Sequence, residues 1–141
     1  AQFLTGTSPI ISLAVLDSAL DIFTDITIID INRKASALAE LFLDLVKNDE
    51  DLNCLTLESK ADSTLRGSQL AFSHADAYGI SRALNKADVV VDFRSPNIVR
   101  FGFSPLFLRF EDIWRATQIM KKIIVEKTYL DNEFSQKLKV T

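Results

Sequence analysis

The chain has 141 residues, of which 48% are hydrophobic and 25% charged, with a formal net charge of −3. That composition describes a globular domain long enough to bury a core, and it excludes a disordered tail. It gives no general attraction to nucleic acid or to an anionic membrane. One cysteine, Cys54, and one histidine, His74, exclude a disulfide framework and any metal site built from His and Cys. No uncharged apolar run approaches the roughly 18–20 residues of a membrane span, no signal peptide opens the chain and no glycine-rich phosphate loop is present. A reducing, cytoplasmic setting is the expectation.

Residues 1–8 read as a loop, with Ser8 as N-cap and Pro9 in the first helical position. Ile10, Leu13, Leu16, Leu20 and Phe23 follow at helical spacing, with Asp17, Ser18 and Asp21 opposite, and predict a first helix ending near Asp25. Asp17 and Asp21, four apart, read as a solvated face. A second helix is predicted from about Asp30 to Lys47, its stripe formed by Ile31, Ala35, Leu38, Leu41, Phe42, Leu45 and Val46. Asn48-Asp49-Glu50-Asp51 stops it.

Leu52–Glu58 is predicted to be a strand and residues 59–67 a polar connection. Ser68–Ser73 alternates as a second strand with Leu70 and Phe72 inward. Asp76–Ala87 predicts a short helix, which Gly79 weakens, and His74 before it reads as a capping or exposed residue. Cys54 reads as a small buried hydrophobe. Val89-Val90-Val91-Asp92-Phe93 is a β-branched strand, Arg94-Ser95-Pro96-Asn97 a turn, and Ile98–Phe103 the return strand of an antiparallel hairpin whose register places Asp92 near Arg100. Phe110, Ile113, Trp114, Thr117, Met120 and Ile124 define a last long helix, with Trp114 in the core. Residues 131–141 read as a loosely held tail. The order ααββαββα predicts a single small α+β domain in two layers, helices on one face of a small, largely antiparallel sheet.

The strand Ile98–Phe103 carries the functional question. Val99, Phe101 and Phe103 alternate onto a core face, while Arg100 shares the other face with Gly102, which leaves open space. An arginine there needs a carboxylate. Either Asp92 supplies it internally, or a bound ligand does, held by two parallel donors in one plane.

Several motifs together resemble one family. They are Phe3-Leu4-Thr5-Gly6-Thr7-Ser8-Pro9-Ile10, Arg33-Lys34-Ala35-Ser36, Arg66-Gly67-Ser68-Gln69, Asp92-Phe93-Arg94-Ser95-Pro96, Arg100-Phe101-Gly102-Phe103-Ser104-Pro105-Leu106 and Phe110-Glu111-Asp112-Ile113-Trp114. In order, they are similar to the carboxy-terminal part of bacterial kynureninases. Those are pyridoxal-phosphate enzymes of the aspartate-aminotransferase fold type that hydrolyse L-kynurenine to anthranilate and L-alanine as homodimers.

The resemblance implies that this chain is the small domain, with the cofactor-binding large domain and its Schiff-base lysine upstream. It implies that Arg100 binds the substrate carboxylate, and that Gly6 and Thr7 meet the cofactor phosphate from the neighbouring subunit. No catalytic lysine and no metal ligand is assigned here. The sequence departs from the family pattern at Phe107, where tyrosine is common, at Leu108-Arg109, and at Asp88, where glycine is usual. Such a fragment alone is expected to be inactive and to expose an apolar surface where the large domain would pack. The alternative is a freestanding α+β binding module, which would be polar there.

Overall fold

A computed structural model describes Gly6 and residues 9–136. Five α-helices occur among them: α1 (Ile10–Leu20), α2 (Ile28–Lys47), α3 (Ala77–Lys86), α4 (Phe110–Glu126) and the short α5 (Asn132–Ser135). Four strands, β1 (Thr56–Leu57), β2 (Gln69–Ser73), β3 (Asp92–Arg94) and β4 (Ile98–Gly102), form one sheet in the order β1-β2-β4-β3. All three pairings are antiparallel. The predicted two-layer α+β architecture is the one observed.

The core lies between the sheet and α2, α3 and α4. Alternation along β4 sends Val99 and Phe101, followed by Phe103, inward, and β2 adds Leu70 and Phe72. The α2 side chain Phe42 sits at the centre, with ring centroids 4.7 Å from Phe101, 5.4 Å from Phe103 and 6.0 Å from Phe72. α2 begins at Thr27, whose hydroxyl accepts from the Asp30 backbone N–H and caps the helix. It buries Ala35, Leu38, Ala39, Phe42, Leu43 and Val46 at helical spacing.

Several expectations are corrected. The valine run 89–91 does not pair as strand; β3 starts at Asp92. The Asn85 side chain at the end of α3 takes both Val91 backbone groups, and the Val89 N–H donates to the Leu84 carbonyl. The predicted strand Leu52–Glu58 shrinks to Thr56–Leu57, because a 3-10 turn at Glu50–Leu52, held by Asp49 accepting from the Asp51 N–H, uses the preceding backbone. Cys54 follows that turn and is exposed, while Leu52 and Leu55 take the buried positions.

Trp114 is about half exposed, as is Phe110. The buried stripe of α4 runs Ile113, Thr117, Met120, Ile123 and Ile124, and Trp114 is rotated about 100° from Ile113. α1 ends at Leu20, with a 3-10 turn at Asp21–Phe23, and none of its residues is buried. Its stripe does not face the core, because apolar residues occupy all of its sides. Pro9 takes the cap position before α1; Ser8 lies outside the described residues.

Gly79, read as a weakness of α3, lets it approach the following segment. A Cβ there would meet the Tyr129 carbonyl oxygen at 2.4 Å. Asp88 sits at φ 61°, in the left-handed region that favours glycine. Within the stretch expected to be a loose tail, α5 packs Phe134 against the core and pairs Glu133 with Lys86 at 2.7 Å. Residues 137–141 lie outside the described residues.

Candidate functional site

The face of the sheet opposite the helices carries Gln69, Ala71 and Ser73 from β2, Ile98, Arg100 and Gly102 from β4, and Asp92 and Arg94 from β3. Each is half-buried or exposed. Arg100 lies between Ala71 on one neighbouring strand and Asp92 on the other. Ala71 is too short to fill the space beside it, and no atom lies within 4 Å of where a Gly102 Cβ would be. The sequence therefore places one long cation in a shallow depression of small residues.

Asp92 fixes the orientation of that cation. Arg100 Nε donates to Asp92 Oδ2 at 2.9 Å, and Nη2 donates to the same oxygen. Arg94 Nε reaches Oδ2 from the other side at 3.1 Å. The hydrogen bonds from Arg100, with the charges of Arg100 and Arg94, hold the Asp92 carboxyl below the usual carboxylate range. The internal partner foreseen for Arg100 is thus present, on the Nε edge of the guanidinium. Among the described residues Nη1 of Arg100 has no hydrogen-bond partner, so the Nη1 end stays available for a second acceptor.

The other predicted site residues are not brought to this cluster by any contact described here. Gly6 is exposed, with nothing within 4 Å of a Cβ built on it. Thr7 lies outside the described residues. His74 accepts from the Asp76 backbone N–H through Nδ1 at 2.9 Å, a capping role, and its ring meets Tyr129 edge-on. Among the described residues no group of three or more His, Cys, Asp or Glu side chains could hold a metal ion. Nor is any helix long and apolar enough to cross a membrane.

Sequence reasoning quoted Arg66 but gave it no role. Its Nε and Nη2 are sealed from solvent without a hydrogen-bond partner among the described residues, while Nη1 donates to the Gly67 carbonyl. Lys121, which sequence offered no reason to single out, grips Asp49 at 2.8 Å and Asp51 at 3.0 Å. A groove of about 540 Å³, lined by Phe42, Val91, Phe101, Phe103, Leu108 and Ile119 among others, lies by α4 and does not include Arg100.

Fold and cluster together define a small α+β domain with an arginine held in a fixed plane on an uncovered sheet face. The sequence profile of the kynureninase C-terminal domain matches residues 31–120. The chain is 38% identical to the kynureninase of Pseudomonas fluorescens over 141 residues, which is all of this chain and 34% of that protein. Kynureninases of Burkholderia mallei (strain SAVP1) and Burkholderia pseudomallei (strain K96243) are each 36% identical over the same span, again 34% of their length. The chain belongs to the kynureninase C-terminal domain family, and it spans about a third of the length of the relatives it matches.

Proposed function

We propose that this domain is the substrate-carboxylate-binding part of a cytoplasmic, homodimeric, pyridoxal-phosphate-dependent kynureninase that hydrolyses L-kynurenine to anthranilate and L-alanine. The observation that carries the proposal is Arg100, whose Nε edge is pinned by Asp92 while Nη1 remains open. A substrate α-carboxylate would approach the Nη1 end. Asp92 and Arg94 would keep the guanidinium plane from turning, which orients the substrate and fixes the bond to be broken.

The cofactor, when bound, supplies the electron sink for carbon–carbon cleavage. What this chain offers it is chemically suitable: a threonine hydroxyl at Thr7 and the unobstructed backbone at Gly6, for the phosphate. The lysine that would carry it belongs to the part of the enzyme outside this chain, so the 141 residues alone are expected to be inactive.

The test is steady-state kinetics on the complete enzyme containing this domain. Arg100→Lys keeps the charge but loses the planar fork. It should raise KM for L-kynurenine about tenfold to a hundredfold, in line with losing a charge-assisted hydrogen bond, and leave the cofactor absorbance in place. An unchanged KM would remove Arg100 from substrate binding.

A further inference from the structure

A cleft of about 410 Å³ opens between α3 and α5, lined by Tyr78, Arg82, Asn85, Lys86, Glu133 and Phe134. It belongs to the helix layer. The Tyr78 ring stands edge-on to Phe93, which packs against the core, at 5.3 Å, whereas Arg100 lies on the opposite face of the sheet. Tyr78, Arg82 and Lys86 recur every four residues along α3 and so share one side of it.

Arg82 is half-buried. Its guanidinium carbon lies 6.0 Å from the centroid of the Tyr78 ring, and Nη1 reaches the Tyr78 hydroxyl at 3.5 Å. Among the described residues Arg82 makes no other hydrogen bond and no ion pair. Its charge reaches Glu133, but that carboxylate pairs with Lys86 at 2.7 Å instead. Asn85 cannot serve Arg82, because its amide is occupied by both backbone groups of Val91. The cleft therefore sets two cations against one carboxylate, beside one aromatic ring from α3 and one from α5.

We propose that this cleft binds a small aromatic carboxylic acid, its carboxylate on Arg82 and Lys86 and its ring against Tyr78 and Phe134. A guanidinium with open donors selects a planar carboxylate, and two rings favour an aromatic acid over an aliphatic one. Glu133 marks the position, since it already sets a carboxylate on Lys86. Both partners of that ion pair are exposed, and such pairs exchange at little cost. Anthranilate, the acid released by the proposed reaction, belongs to this class. The inference does not rest on that reaction, because the cleft and Arg100 lie on opposite faces of the sheet.

The experiment is isothermal titration of the 141-residue chain with benzoate, read beside the backbone amide NMR shifts of residues 78–86 and 132–135. Benzoate should bind saturably, and acetate and benzyl alcohol should each bind about tenfold more weakly or worse, since each keeps only half of the recognition. Arg82→Gln should weaken benzoate about tenfold or more, the effect of losing a charge-assisted hydrogen bond. Glu133→Gln should tighten binding about two- to fivefold, because it removes the carboxylate that competes for Lys86. Arg100→Lys should leave benzoate binding unchanged.

No saturable binding up to about 20 mM benzoate, which corresponds to less than about 2.5 kcal/mol, would overturn the proposal. Acetate binding as tightly as benzoate would overturn it too. So would loss of binding in Arg100→Lys with Arg82→Gln unaffected, which would move the acid to the sheet face. If Arg82→Gln does not fold, Glu133→Gln and the amide shifts decide: unchanged affinity, or shifts centred outside 78–86 and 132–135, would sink the cleft. Binding there stands or falls separately from the role of Arg100 in turnover, which these titrations do not read.

Discussion

α1 and α2 are neighbours in the chain and opposites in physical character. From Ala35 on, α2 keeps its apolar residues on one side, where Leu38, Phe42 and Val46 enter the core, and gives Glu40 and Asp44 to water; Ile28 and Ile29 in its first turn stay exposed. α1 is the more apolar of the two, with Asp17 its single charge and no polar side, and nothing among the described residues buries it. Apolar content alone therefore does not say where a helix goes. The arrangement of that content does: a stripe asks for one neighbour, and a full circumference asks for enclosure. Beyond its first turn α2 is buried within this domain, and among the described residues α1 is not.

The contrast is broken most directly by truncating one side chain in each helix. Phe42→Ala removes the ring around which Phe72, Phe101 and Phe103 are arranged, and should cost about 3–5 kcal/mol. Leu16→Ala in α1 should change the stability of the 141-residue chain by less than about 0.5 kcal/mol, since no cavity is created. Urea denaturation of both variants decides it. Comparable losses would mean that α1 is packed in solution.

How much was legible follows the same division. The stripe of α2, the inward alternation of Leu70, Phe72, Val99, Phe101 and Phe103, and the Asp92–Arg100 register could be read because each is a local periodicity or spans one short turn. Val89–Val91 could not. Its composition says strand, but its backbone partners are a side chain at Asn85 and a carbonyl at Leu84, and composition does not record such competition. Trp114 was assigned inward on the stripe of its helix and Cys54 as a small hydrophobe, and both lost those places to neighbours, Ile113 for one and Leu52 and Leu55 for the other. The grip of Lys121 on Asp49, 72 residues away, and of Lys34 on the Pro105 carbonyl, 71 residues away, leave no local trace. Of the site, Arg100 and its partner were visible, and the second arginine on the same carboxylate oxygen was not.

Gly79 sharpens the contrast from α3, which the Thr128–Leu130 turn approaches closely. In exposed helix interiors, replacing glycine by alanine gains up to about 1 kcal/mol in propensity. Here the added methyl would sit 2.4 Å from the Tyr129 carbonyl oxygen, a backbone atom that cannot rotate away. Gly79→Ala should therefore destabilise the chain by about 1–3 kcal/mol, the cost of overpacking, as a lower thermal midpoint. A gain would mean that the Thr128–Leu130 turn does not rest on α3. Ala14→Gly in α1, where no tertiary contact opposes the propensity term, should instead track propensity alone.

The smallest expected effect concerns how α2 is tied down at its far end. The turn after α2 carries Asp49, whose carboxylate accepts from Lys121 of α4 at 2.8 and 3.0 Å. That hydrogen bond, with a contribution from the Asp51 N–H, holds the Asp49 carboxyl below its ordinary range, and the two aspartates push the Lys121 ammonium up. A carboxyl lowered on folding stabilises the folded chain fully above its ordinary titration range, near pH 4, and the contribution is lost as pH falls through the lowered folded value. Asp49→Asn should leave stability at pH 7 slightly lower and flatten the acid limb of the urea midpoint between about pH 5 and pH 2. An acid limb of unchanged slope would mean that the pair is screened by solvent and does not anchor α2 to α4. α2 would then be held by its apolar stripe alone, and its difference from α1 would reduce to the arrangement of side chains around the helix.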